Sequence, residues 1–180
     1  MSFTSREFWT IVHGMGLGAA FLLAFAGGLA GLWSLRPGLV TDAGVVERAK
    51  RLKIGTWTMA VAAWLTVLTG SFIVYPWYRA DTTGACEESF TEACGAKYAL
   101  LADSATAQWH EFGMEWKEHI AWIAPLLATA VAVAVSYYGV KLVREQGIKK
   151  VLIIAFCAAF AIAGIAGALG AFITKAAPVI

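Results

Sequence analysis

Residues 151–173 read VLIIAFCAAFAIAGIAGALGAFI, an apolar run without a single charged side chain. About 20 helical residues are enough to cross a hydrocarbon core about 30 Å thick. In that medium a helix meets every backbone N–H and C=O need within one segment. Three further stretches pass the same test, at about 8–35, 54–78 and 120–140, and none holds a charge between those limits. The pattern predicts an all-α membrane protein, a bundle of four transmembrane helices. Residues 79–119 form one extended outer loop, partly helical, and residues 1–180 form a single membrane domain.

Composition points the same way. Hydrophobic residues make up 59% of the 180 and charged residues 14%, and mean hydropathy is +0.68. A soluble domain carries roughly 45–50% apolar and about 25% charged residues. The excess has to face the lipid bilayer. A net charge of +2 excludes a nucleic-acid partner held by bulk charge. The first stretch exceeds a signal-peptide core, and Arg6 with Glu7 precede it instead of a basic cluster, so it reads as a retained helix.

Charge sets the orientation. Four spans place both termini and the loop 79–119 on one side and the short loops 36–53 and 141–150 on the other. The short loops carry nine cations and three acids, or +6, and the opposite side five cations and nine acids, or −4. Lys and Arg in short loops mark the cytoplasmic face. The reading is a multi-pass protein of the cytoplasmic (inner) membrane, with both termini and the long loop on the periplasmic side. Cys86 and Cys94, in GACEESFTEAC (84–94), then lie in an oxidising compartment and are expected to form a disulfide. Cys157 is a small packing residue inside the fourth span.

Local signals fill in the rest. Arg36-Pro37-Gly38 ends the first helix, and Val45–Lys53 reads as a short basic amphipathic stretch at the headgroups. From about Ser104 the loop turns helical and runs toward the third span, where Pro125 is placed to kink the chain. Trp9, Trp77, Trp109, Trp116 and Trp122 gather at the outer face, Trp33 and Trp57 near the inner one, as an aromatic belt.

The three histidines, His13, His110 and His119, all fall near the outer face. An ionisable ring inside a span needs a reason. Two imidazoles facing each other across a bundle are able to ligate a b-type heme iron, which needs no CxxCH attachment motif, and none is present. His13 and His119 are the candidate axial ligands, with His110 as the alternative partner. Water or headgroup contact, another metal, or a proton relay are the competing uses. Gly14, Gly16 and Gly18 beside His13, Gly70 and Ser71 at similar depth, and Gly164, Gly167 and Gly170 offer either clearance for a cofactor, Gly16 first, or close helix packing of the GxxxG kind. Glu111, Glu115 and Glu118 flank His119, but Lys117 among them reads as a solvated face. There is no P-loop, nucleophile elbow or HExxH. Spans free of Asp, Glu, Lys and Arg argue against an ion pump.

Four spans, histidines on two of them and glycines beside one give a layout that resembles small four-helix membrane cytochrome b subunits. That resemblance implies electron transfer between a quinol pool and a partner. Many such cytochromes use four histidines for two hemes. With three at one face, this chain has room for at most one bis-histidine heme. The expectation is therefore a subunit of a respiratory or photosynthetic redox complex, non-catalytic on its own. It would bind one heme b or related tetrapyrrole near the outer face, with a quinone as a further possible cofactor. Its partners would be other membrane subunits and a basic periplasmic electron carrier, docked on Asp81, Glu87, Glu88, Glu92, Asp103, Glu111 and Glu115. The alternatives are a cofactor-free structural subunit and a small transporter or sensor.

Overall fold

The computed structural model describes residues 4–39, 41–88, 91 and 94–177. Four long helices, each long and apolar enough to cross a membrane, account for most of it: α1 (Ser5–Ser34), α2 (Asp42–Tyr78), α4 (Trp109–Val143) and α5 (Gln146–Ala176). A short helix, α3 (Ala96–Leu101), sits in the long loop. The bundle thus has a loop end, bearing residues 79–108, and a basic end, bearing the two short connections.

The helices overrun the sequence limits because an apolar window marks only the middle of each. At 1.5 Å per residue, α1 is about 45 Å long and α2 about 55 Å, against a core of about 30 Å. The Thr4 hydroxyl caps the start of α1, with the Glu7 carboxylate returning to the Thr4 backbone N–H. At the other end, Arg48 donates to Ser34 O at 3.2 Å and Lys149 donates to Leu35 O at 2.6 Å. Cations from α2 and α5 therefore cover the carbonyls that α1 leaves open, where its dipole is negative. Val45–Lys53 is not a separate surface stretch. It forms the first turns of α2, capped by Thr41. The break in α4 comes at Ala121–Trp122, one turn before Pro125. Pro125 has no N–H for Ala121 O, which takes Ala124 N–H instead at 3.2 Å.

Packing rests on aromatic rings against small residues. Phe25 and Phe160 stack with centroids 4.0 Å apart, and Phe156 lies 5.4 Å from Phe25. Phe156 is fully buried, over Gly28. Between α2 and α4, Trp57 Nε1–H donates to Ser136 Oγ and Trp64 Nε1–H to Thr129 Oγ1, both at 3.0 Å. Trp57 is thus a helix-to-helix tie as well as a belt residue. In the loop, Cys86 and Cys94 are disulfide-bonded as the sequence led us to expect. Gly95 N–H donates to Ala80 O at 2.7 Å and ties the loop to the end of α2.

The packing separates two adjacent glycines. A methyl group on Gly28 would lie 2.7 Å from the Phe156 ring, while one on Gly27 would meet nothing within 4 Å. Gly28→Ala should lower stability by about 1–3 kcal/mol through overpacking, although alanine is the better helix former. Gly27→Ala should be neutral or stabilising. Thermal unfolding in detergent micelles checks the pair, and equal effects would reject the packing.

Candidate functional site

Polar side chains collect at the loop end. Three helices make a π-helical turn there: Val12–Gly16 in α1, Gly70–Val74 in α2 and Trp109–Met114 in α4. Such turns reset which residues face inward and recur at functional sites. They bring His13, Gly70 and His110 into the bundle. His13 is eight residues into α1, about 12 Å from its end. That depth is about 5 Å inside the edge of an apolar core of about 30 Å centred on the helix.

His13 lies flat against α2. A methyl group on Gly70 would come within 2.7 Å of its Cε1 and 3.3 Å of its Nε2. Its Nδ1 is 3.2 Å from Thr69 Oγ1. The Thr69 hydroxyl donates to Leu65 O at 2.7 Å. Its oxygen is then the acceptor, so His13 carries its proton on Nδ1 and its lone pair on Nε2. The clearance at Gly70 is used by the imidazole itself.

His110 and His119 are placed opposite to the sequence expectation. His110 is buried at 7% exposure and shares a 2.8 Å hydrogen bond with the Tyr78 hydroxyl. His119 has a 71% exposed side chain. Its Nδ1–H donates to Glu115 O at 2.7 Å, which fixes the tautomer and leaves Nε2 open on the outward side of α4.

The two residues before His119 turn inward. Tyr75 donates to Glu118 Oε2 at 2.7 Å. Glu118 Oε1 is buried and has no hydrogen-bond partner among the described residues. An orphan acceptor of this kind costs about 1–3 kcal/mol. Lys117 lies against α5, its Nζ 3.0 Å from where a Gly170 Cβ would stand. Lys117 also lines a cavity of about 60 Å³ with Arg6, Thr10, Tyr78 and Thr174. Of the face expected to be solvated, Lys117 and Glu118 turn inward, while Glu111 and His119 stay exposed.

Several expected roles do not come together. His13 rests on α2 and the His119 side chain is exposed on α4, so the two rings are not seated face to face across the bundle. Gly14, Gly16, Gly18, Gly164 and Gly167 have nothing within 4 Å of a built Cβ. No side chain of this chain packs on them. Among the described residues, no group of three or more His, Cys, Asp and Glu is arranged to hold a metal ion. Of the acidic loop residues, Glu87 approaches Lys97 at 4.0 Å, Asp81 accepts from Gly84 N–H at 2.8 Å, and Glu92 lies outside the described residues. No protein-family model matches the chain, and neither a curated protein nor a solved structure does.

Gly70→Ala should cost about 1–3 kcal/mol by driving the His13 ring off Thr69. In a His13→Ala background the same change should cost almost nothing. Unfolding of the four proteins in detergent gives the coupling. Full additivity would show that the ring does not rest on Gly70.

Proposed function

We propose that the chain is a non-catalytic membrane subunit of a larger redox complex that meets a quinol-type carrier at its loop end. The orphan oxygen Glu118 Oε1 carries the reading. A buried carboxylate oxygen without a donor is complementary to a hydroxyl, and a quinol has two. Oxidation of a quinol to the quinone releases two protons and two electrons. The electrons would pass to a redox centre of the partner subunits or to the basic electron carrier, and the Tyr75–Glu118 and Tyr78–His110 pairs provide neighbouring groups able to pass the protons on. Lys117 offers a cation for the oxygen that is left. The orientation from charge puts this end on the outer side of the cytoplasmic membrane, with both termini and the loop 79–119. Protons released there leave the cell interior. The open glycines of α1 and α5 support docking against other membrane subunits, and the acidic loop supports docking of a basic electron carrier.

A second reading has one observation behind it. His119 holds the tautomer and the exposed Nε2 that an axial ligand requires. A b-type heme or related tetrapyrrole would then lie on the outward side of α4, at a seam with a neighbouring subunit.

The experiment is to purify the chain and record its visible spectrum while a short-chain ubiquinone is titrated in lipid nanodiscs. The proposal expects saturable quinone binding that Glu118→Gln weakens by about tenfold, the loss of one charge-assisted hydrogen bond. Soret and alpha bands that His119→Ala removes would favour the tetrapyrrole. Absence of both signals would leave a structural subunit.

A further inference from the structure

Away from the loop end, α1 and α2 leave a groove between them that the redox reading does not use. It has a volume of about 720 Å³ and its floor is small residues, Ala20, Ala24, Gly27 and Gly31 from α1 and Gly55 from α2. The helices approach backbone to backbone beneath it: a Cβ built on Gly55 would stand 3.9 Å from Gly28 N. From Ala20 to Ser34 the groove runs about 21 Å at 1.5 Å per residue. One leaflet of hydrocarbon is about 15 Å deep, so the groove spans it. The volume lies in the range of about 300–1,000 Å³ for ligand sites.

The two ends of the groove differ in chemistry. Its upper part is apolar but for Thr58, whose hydroxyl donates to Ile54 O at 2.9 Å. Its mouth at the basic end is lined by Arg48, Arg51 and the Ser34 side chain. Arg51 bonds Glu47 through Nε in an exposed pair, with its side chain 77% exposed, and such a pair holds weakly. Arg48 uses one Nη on Ser34 O. A guanidinium has five N–H donors, so these two bonds leave donors for an anion. Trp33, 58% exposed, stacks with the Arg36 guanidinium 4.2 Å from its ring and marks the headgroup level beside Ser34.

We propose that this groove binds one anionic phospholipid, its phosphate on Arg48 and Arg51 and an acyl chain along the floor from Ser34 to Ala20. The inference rests on the four helices lying in a bilayer and not on the quinol reading. Charge complementarity selects the occupant: two arginines at headgroup depth face the leaflet whose lipids carry net negative charge. A chain without branches fits a floor of glycine and alanine, whereas a second helix would bring side chains that the groove would have to admit around two guanidinium groups.

Native mass spectrometry of the full chain from detergent micelles tests this with dioleoyl-phosphatidylglycerol, dioleoyl-phosphatidylcholine and sn-glycerol 3-phosphate as probes. One phosphatidylglycerol should be retained per chain in preference to phosphatidylcholine. Arg51→Gln alone should weaken retention by about fivefold, one basic contact with an anionic headgroup, and Arg48→Gln with Arg51→Gln further. Gly27→Leu, whose side chain enters open space, should abolish retention without loss of fold. Equal retention of both lipids would overturn the proposal, as would retention unchanged in Arg51→Gln and Gly27→Leu. Glycerol phosphate bound as tightly as the lipid would make this a phosphate site and reject the acyl groove. A Gly27→Cys cross-link between two chains with no lipid adduct would assign the groove to a second copy.

Discussion

Glu118 accepts from Tyr75 with one oxygen and leaves the other buried without a donor, and the loop end is organised around that imbalance. In an apolar bundle a polar group that finds no partner is costly. Other polar side chains at this level find partners: His13 with Thr69, His110 with Tyr78, Tyr75 with Glu118. The π turns in three helices are the means of pairing. Each shifts the residues beyond it by a fraction of a turn, which is how a histidine or a glutamate reaches inward without breaking the helix.

The rest of the bundle holds this arrangement in place by opposite means. Around Phe156 the packing is dry, built from stacked phenylalanines on α1 and α5 and from glycines that let them in. Between α2 and α4 two indole-to-hydroxyl bonds lock the register. At the basic end Arg48 and Lys149 close the C-terminus of α1. A dry middle and a capped basic end leave the polar side chains gathered at the loop end.

Four helices, their approximate middles and the Cys86–Cys94 bond were legible in the sequence, because each follows from apolar length or from residue type in a loop. Helix ends were not. Val45–Lys53 belongs to the start of α2 through the Thr41 cap and continuity, which an apolar window does not register, whereas the helix before the third span was read from about Ser104. The facing of His110, Lys117, Glu118 and His119 was hidden because it is set by partners on another helix, such as Tyr78 for His110 and Tyr75 for Glu118, which linear order does not show. The argument against ion-pump chemistry from uncharged spans also assumed that the third helix begins near residue 120. It begins at Trp109 and carries Lys117 and Glu118 inward. Glycine-rich stretches were ambiguous for a different reason. A glycine that admits an aromatic ring, as Gly28 does, and one that faces open space, as Gly27 does, look alike in a string of letters.

The central claim is that Glu118 belongs to the interior and is held there by Tyr75. A double-mutant cycle of Tyr75→Phe and Glu118→Gln, read by unfolding in detergent micelles, measures that directly. The account predicts a coupling of about 1 kcal/mol, the net worth of one hydrogen bond within the fold. Effects that add to within about 0.3 kcal/mol would mean that the two side chains do not meet and that Glu118 faces solvent.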